Sequence, residues 1–543
     1  MSRKQRIIIS ITGIVLVSLI LIGLTYGYYL TKIKGNANSK SISVTTANLL
    51  LEYADVNDEL ITDSAVEPGK TWTKTFVATN KGNKTVTYGV ALENVVNQFE
   101  RKDDIVYTLD CKQYSKTGFS IDKTNKTVTG TISGTCNGVS EETTFPSIGT
   151  ILVQNDIADD KAQVYTLLVT YKETNTDQSV DMNKTFSAKA NIVDPNNFKP
   201  YGEGTLATAI IDSAKTAAST TDAIRTIYQE TPTTTPGQAI STETEKTLSK
   251  TEDDYGDSYY YRGNVIDNFV NYAGMCWRVV RIESDGSIKL ILVSELSCSD
   301  TNVTSTSGVA TNGAAGVQGT TELSAHYGYK NVVVGSKTYK IDDYINSPAD
   351  TTGNARTKLN AWLERKITSE TDKALLKNED WCIGDRTSAY DSSTYELKTE
   401  TAEELINAGT DFYYSARKRI WNTKTPTLKC DGNKERDGEI DTNKVGMLTA
   451  DEITFAGANQ NYSNKTYYLN KNAASNHWWA LSPSFFLARA SSVISFIVSS
   501  DGSLNDSVSV SSTRSLRAAV SLTSSTKIIS GGDGTVNNAY TVE

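Results

Sequence analysis

The sequence predicts a mixed, mostly β protein in four parts: an N-terminal transmembrane helix, an all-β sandwich, a helical linker and a distal α+β domain. Three observations carry this. An uncharged apolar run occupies 7–29, period-2 alternation broken by Gly, Asn and Asp fills 41–194, and strand and helix patterns mix beyond 258. A chain of 543 residues is too long for one ordinary core, so several domains are expected.

The apolar run follows Arg3, Lys4 and Arg6. At about 1.5 Å per residue, it crosses a hydrocarbon layer of about 30 Å. Tyr26, Tyr28 and Tyr29 fall where interfacial rings belong. No small-x-small cleavage pattern follows. The expected topology is a single-pass signal anchor at 1–34, with the bulk of the chain extracellular. The alternative is a cleaved signal peptide, which normally has a shorter apolar region.

The segment 41–195 carries strand after strand, for example 72–79, 86–92, 105–109 and 164–171. Such alternation is expected to bury one face of each strand in an antiparallel sandwich. The pieces Thr45-Thr-Ala-Asn-Leu-Leu50, Glu67-Pro-Gly-Lys70 and 76–80 resemble the camelysin/TasA type of matrix β-sandwich. Part of that family is called a metallopeptidase. This segment has no His and no His-Glu-x-x-His, so a zinc site is not expected and a spacer is.

Residues 196–257 read as a linker, whose helix is either a short stalk or a cap on the next domain. Leu206, Ile210, Ile211, Ala214, Ala217, Ile224 and Ile227 have helical spacing over 205–230. A Thr/Pro stretch at 231–237 ends it, and a polar run follows.

The distal domain is placed at 258–543. A hairpin of 276–282 and 287–293 turns at Asp285-Gly286. Helices are expected at 354–367 and 402–408, and Thr449-Ala-Asp-Glu452 has capping-box spacing. The Gly-rich stretch 308–319 reads as a surface loop. The stretch 433–444 imitates a calcium loop, but its last position is Lys444 where a bidentate Glu is needed, so a solvated loop is expected. From 477 onward the chain reads as a meander. Trp478-Trp479 leads into a turn signal at Ser482-Pro483-Ser484. Strands follow at 493–498, 508–511 and 516–522, with a hairpin turn at Ser500-Asp501-Gly502-Ser503.

The six cysteines are Cys111, Cys136, Cys276, Cys298, Cys382 and Cys430. An even count beyond an anchor favours disulfides, most simply paired in chain order. Six unpaired thiols are the alternative. Zinc would need clustered ligands, and no Cys-x-x-Cys exists. The formal charge of −9, with no basic block beyond the first residues, argues against a nucleic-acid partner. The only two histidines are His326 and His477, which removes most His-based triads and metal sets; His477 is read as packed beside Trp478.

The order Trp-Trp-x-Leu-Ser-Pro-Ser, Asp-Gly-Ser-Leu and Arg517-x-x-Val-x-Leu resembles the end of an extracellular domain common in gut Firmicutes and Mollicutes. Residues 259–263, Cys276-Trp277-Arg278 and 445–452 fit the same pattern. The family's Gly-Val-Arg-Pro-Val is Leu516-Arg517-Ala518-Ala519-Val520 here. The tail Gly534-Thr535 to Ala539-Tyr540 also lacks its proline. The resemblance implies a C-type-lectin-like fold related to formylglycine-generating enzymes and to retroelement-diversified proteins, at a bacterial cell surface. No Cys follows Cys430, so that enzyme chemistry is not expected, and neither a cofactor nor any other enzyme activity is.

From Ala480 to Thr526 there is no Lys, Glu, Gln, Met or Trp. These residues cannot be reached from an Asn codon by replacing adenines, which is how such retroelements diversify. Ser-rich outer strands lacking these residues anyway are the alternative. The expected ligand face is Phe485, Phe486, Leu487, Arg489, Ser491, Ser492, Ile494, Phe496, Ser509, Ser511, Thr513 and Arg514. Trp478, Trp479, Leu481, Val520 and Leu522 would supply the core beneath it; burial of Phe496 is the competing reading. The expected function is a membrane-anchored adhesin or receptor for an extracellular protein or glycan. A structural envelope or matrix protein is the alternative.

Overall fold

The computed structural model describes residues 32–35, 41–43, 50–57, 67–300, 332–334, 337–339, 355–430 and 444–543, apart from short gaps at 98, 100, 182–185, 197, 221–223, 233, 239–244, 255, 380, 383–387, 461–462, 471–476, 491, 510–513 and 515. The expected span at 7–29, the loop at 308–319, His326 and the stretch 433–443 lie outside these residues. Among the described residues no helix is long and apolar enough to cross a membrane. The chain is mostly β, in several sheets, and divides into two compact units, Met1–Gly202 and Glu203–Glu543.

The first unit is built from two sheets. One has the order Lys32–Gly35, Phe186–Val193, Val86–Asn97, Thr150–Ile157. The other has the order Val139–Thr144, Ile105–Ser115, Lys161–Tyr171, Thr71–Asn80, Leu50–Asp55, Ser41–Ser43, with Ile132–Thr135 also on Ile105–Ser115. Pairing is antiparallel except between Lys32–Gly35 and Phe186–Val193. In Phe186–Val193 buried and half-buried residues alternate, as a pleated strand with one face in the core requires. Phe76 stacks between Tyr53 and Tyr165 at 5.5 and 5.3 Å, and Phe186 meets Trp72, Phe99 and Phe145 edge-on. Cys111 and Cys136 are bridged.

The second unit holds a nine-stranded and a six-stranded sheet. The expected hairpin is the pair Met275–Ile282 and Ile288–Ser294 in the first of these. Ala519–Leu522 extends it along Ile288–Ser294, so the C-terminal strand and the hairpin share one sheet. The six-stranded sheet runs Leu397–Thr401, Ser388–Asp391, Phe412–Tyr413, Trp478–Leu487, Ser492–Val498, Leu504–Ser509. Helices form at Ala355–Lys366 and Ala402–Asn407, the latter with a Thr401–Glu404 capping box. Ala450–Ala456 begins at the Thr449–Glu452 capping box. Gly502 turns the last hairpin at a φ of 84°, and a Cβ there would collide with the Asn464 carbonyl.

Three expectations need correction. The stretch 196–257 is not a linker: the expected helix forms at Leu206–Thr220, but Lys246–Asp253 pairs with Gly256–Gly263 inside the nine-stranded sheet. The helix stops at Thr220; Ile224 is exposed and Ile227 opens a strand, Ile227–Gln229. The apolar spacing continues past the helix because Ile227 serves the sheet instead. Finally, Ser482-Pro483-Ser484 is not a turn. It lies within Trp478–Leu487, where register shifts flank Pro483. A bulge is the place where a strand tolerates a residue with no N–H to donate.

The motifs that carry the resemblance are core. Trp277, Trp478 and Trp479 are fully buried, as are Leu481, Val520 and Leu522. Three buried arginines bind backbone carbonyls. Arg262 donates to Thr454 and Phe455, Arg278 to Val265, and Arg517 to Leu292 and Leu469, at 2.8–3.1 Å. A guanidinium carries five donors, so one side chain can tie several loops that would otherwise bury unpaired carbonyls.

Candidate functional site

Two places in the second unit gather chemistry. The first is an aromatic strip on the six-stranded sheet. Register places Tyr390 opposite Tyr413, Tyr413 opposite Phe485, and Phe485 opposite Ile494. The segment 415–423 lies against this row: a short helix, Ser415–Arg417, continues into a π-helix, Lys418–Thr423. The Tyr414 N–H donates to the Ser484 carbonyl at 2.9 Å and seats the segment on the strand. Rare π turns concentrate at functional sites.

Arg417 is the centre of the strip. Its guanidinium carbon lies 4.2 Å from the Tyr413 ring, 4.0 Å from Trp421 and 4.7 Å from Phe485. It pairs with buried Asp506 and donates to Ser484 Oγ at 3.1 Å. Burial lowers its pKa, with Tyr413 and Tyr395 opposing. Lys418 sits 4.7 Å over Tyr390, and Tyr395 lies 4.9 Å from Tyr413. Tyr390, Tyr395, Tyr413, Trp421 and Phe485 are all half-buried. They form a partly open platform around fixed cations, a geometry suited to flat ligand surfaces.

This placement divides the expected ligand face. Phe485 and Leu487 are half-buried and Arg489 is exposed, as a ligand face requires. Phe486, Ile494 and Phe496 are not available: they are 2 %, 5 % and 0 % exposed. Phe486 stacks on Phe412 at 5.7 Å, and Phe496 meets Trp421 edge-on at 6.3 Å. The face was expected to be open, but the 415–423 segment covers it over Phe496, and Phe486 lies on the opposite face of the sheet. Arg514 is half-buried. Ser492 and Ser509 lie on paired strands, while Ser491, Ser511 and Thr513 lie outside the described residues. His477 is half-buried, and burial and then Arg514 lower its pKa.

The second place is a charged cavity of about 80 Å³ beneath the Cys382–Cys430 bridge. The hairpin contributes Arg281, Glu283, Asp285 and Lys289; the strand Lys246–Asp253 gives Asp253, the segment after Leu375 gives Lys377 and Glu379, and the 450–456 helix gives Glu452. Arg281 meets Asp253, Glu283 and Glu452 at 2.8–3.1 Å. Lys289 meets Glu283, Glu379 and Glu452 at 2.9–3.4 Å. Lys377 meets Glu283, Asp285 and Glu379 at 2.9–3.2 Å. The capping box shapes this directly: Glu452 Oε2 accepts from the Thr449 N–H, while Oε1 takes Arg281 and Lys289.

Five carboxylates (Asp253, Glu283, Asp285, Glu379, Glu452) therefore face three cations (Arg281, Lys289, Lys377). Burial pushes Glu283 up, but Lys377, Arg281 and Lys289 together hold it well below the usual carboxylate range. Glu379 goes the other way. Burial, then the Glu283 carboxylate, push it up to about 7 against Lys377 and Lys289. The sequence reading missed this cluster because charges around a hairpin turn ordinarily face water. The bridge partners, named correctly in chain order, were the available signal that 382 and 430 meet.

All three expected bridges are formed: Cys111–Cys136, Cys276–Cys298 and Cys382–Cys430. No family model matches the chain, and comparison with curated proteins finds no match.

Proposed function

We propose that the chain is a membrane-anchored cell-surface ligand-binding protein, an adhesin or receptor, whose second unit takes an extracellular protein or glycan on the aromatic strip. The observation that carries this reading is the half-buried ring platform of Tyr413, Trp421 and Phe485 held around the Arg417 guanidinium. Rings give contact area at low entropy cost, and aromatic and Arg residues dominate binding hot spots. Exposed Arg489, two residues beyond half-buried Leu487, adds a positive charge to the same strand end. Three disulfides suit an oxidising, extracellular setting, and the run at 7–29 supplies the anchor. The distal unit would carry recognition on a C-type-lectin-like scaffold, and the sandwich would act as a spacer. Retroelement diversification, if it acts on this chain, is compatible with Phe485, Leu487 and Arg489; Phe486, Ile494 and Phe496 are packed, and variation there would disturb the core.

The test is binding of the full chain to a glycan array and to immobilised extracellular-matrix proteins. Trp421→Ala and Phe485→Ser should each lower binding at least tenfold with the folded state retained. Binding by wild type that both variants keep would refute the strip as the site. Absence of binding to either panel, together with fibre formation by the purified chain, would favour the structural reading.

A further inference from the structure

The charged cavity has features that an internal ion-pair network alone does not explain. Its carboxylates outnumber its cations by two, the difference between the five and three residues named above. Ser284 is 4 % exposed, lines the cavity, and its Oγ has no hydrogen-bond partner. Glu379 Oε2 and Glu283 Oε1 lie in ion pairs but accept no aligned hydrogen bond. A carboxylate oxygen has two lone pairs, so Glu379 Oε2 beside Lys377 retains accepting capacity, whereas Glu283 Oε1 already faces both Arg281 and Lys289. The rim bears exposed Asp254 and Lys429 beside the disulfide.

We propose that this cavity binds a primary ammonium group, R–NH3+, with Ser284 Oγ and Glu379 Oε2 as its acceptors. Two of its N–H donors meet the two under-used acceptors, and one positive charge offsets half of the carboxylate excess. Size agrees: about 10–15 Å³ holds one water, so a cavity of about 80 Å³ admits an alkylammonium head. A metal ion is a poorer fit, because among the described residues no group of three or more Asp, Glu, His or Cys is placed to hold one. The indole of Trp381, which already faces Lys289 at 4.9 Å, forms part of the wall. Neither acceptor belongs to the aromatic strip, although Arg419 and Ser482, from the segments that build the strip, also line the cavity.

Binding should depend on pH. Glu379 faces Glu283, Lys377, Lys289 and Arg281 and holds its proton up to about pH 7. The cation competes with that proton, so affinity should rise between about pH 6 and about pH 8.

The experiment is thermal unfolding and calorimetric titration of the full chain with methylammonium chloride. Tetramethylammonium chloride, which has no N–H donors, serves as the control at equal ionic strength. Expected are saturable stabilisation by methylammonium, at least severalfold weaker near pH 6 than near pH 8, and none by tetramethylammonium. Glu379→Gln should weaken the methylammonium response at least tenfold. Ser284→Ala should weaken it severalfold, and it carries the test if Glu379→Gln does not fold. Equal responses to the two ions, no saturable response to methylammonium, or an undiminished response in Ser284→Ala would each overturn the proposal. Comparing a short lysine-containing peptide with a free diamine then separates the sources: tighter binding of the peptide assigns the ammonium to a protein partner, and tighter binding of the diamine assigns it to a free amine.

Discussion

Phe76 in the first unit and Arg281 in the second lie at similar depth, 0 % and 7 % exposed, and hold their surroundings by opposite means. Phe76 stacks between two rings in a core of alternating apolar residues. Arg281 holds three carboxylates from three separate segments. A ring core loses stability in proportion to the volume removed and accepts swaps of similar shape. A charged core loses most when one partner is removed and the others stay buried. The first unit does contain a buried pair, Lys74 and Asp55 at 2.9 Å, but as one pair within an apolar sandwich. The second unit therefore places buried charges from several segments where removing one partner leaves the others unpaired.

The comparison can be broken most directly at Arg281. Arg281→Met leaves Asp253, Glu283 and Glu452 short of a cation and should cost about 3–5 kcal/mol. Phe76→Leu, by contrast, should cost less than about 1.5 kcal/mol, provided the ring pocket repacks. Urea unfolding that follows the two units with separate probes would decide it; equal losses would show that the units differ less than their contacts suggest.

Removing bridges probes the same contrast at the level of the chain. Replacing Cys382 and Cys430 with Ser should destabilise the second unit by about 2–4 kcal/mol. The loop they close, with a separation of 48 residues, exceeds the 25 of Cys111–Cys136. Loop entropy alone makes that difference only about 0.6 kcal/mol. A much larger gap in the measured unfolding free energies would mean that the bridge also holds the charged cavity together.

Glu379→Gln should act in the opposite direction. Its carboxyl has an ordinary value of 4.5 and is raised to about 7 in the fold. Below about pH 4.5 it is neutral in both states. Between about 4.5 and 7 the unfolded chain ionises first, so its contribution to stability falls as pH rises, by at most about 1.4 kcal/mol per pH unit. The Gln variant should match wild type near pH 4 and exceed it by about 1–3 kcal/mol near pH 8. Unfolding free energies measured across that range test the sign; a variant less stable than wild type near pH 8 would contradict it.

The smallest effect should come from Arg489. Arg489→Ser should change stability by no more than about 0.5 kcal/mol, as exposed substitutions usually do. The nearby Phe486→Ala should cost about 3–5 kcal/mol because the ring is core. Matching melting temperatures for these two variants would show that Phe486 is not packed as described.

How much of this could be read from residues follows from how local each signal is. The chain-order bridges, the Asp285-Gly286 hairpin, the two capping boxes that begin at Thr401 and Thr449, and the alternating sandwich strands all depend on neighbours within a few residues or on simple parity. The sequence therefore determined the mostly β class and the second unit's fixed core of Trp478, Trp479 and Val520. Tertiary structure alone decided that Phe486, Ile494 and Phe496 are all buried, because both faces of this sheet are covered: Phe486 packs on Phe412 on one face, and the 415–423 segment meets Phe496 on the other. It also decided that Arg281, Glu283 and Lys289 are buried. Charges flanking a turn look solvated until Glu379 and Glu452, about a hundred residues or more away, come in to pair with them. Burial is a property of what packs against a residue, and no local pattern names a partner that distant.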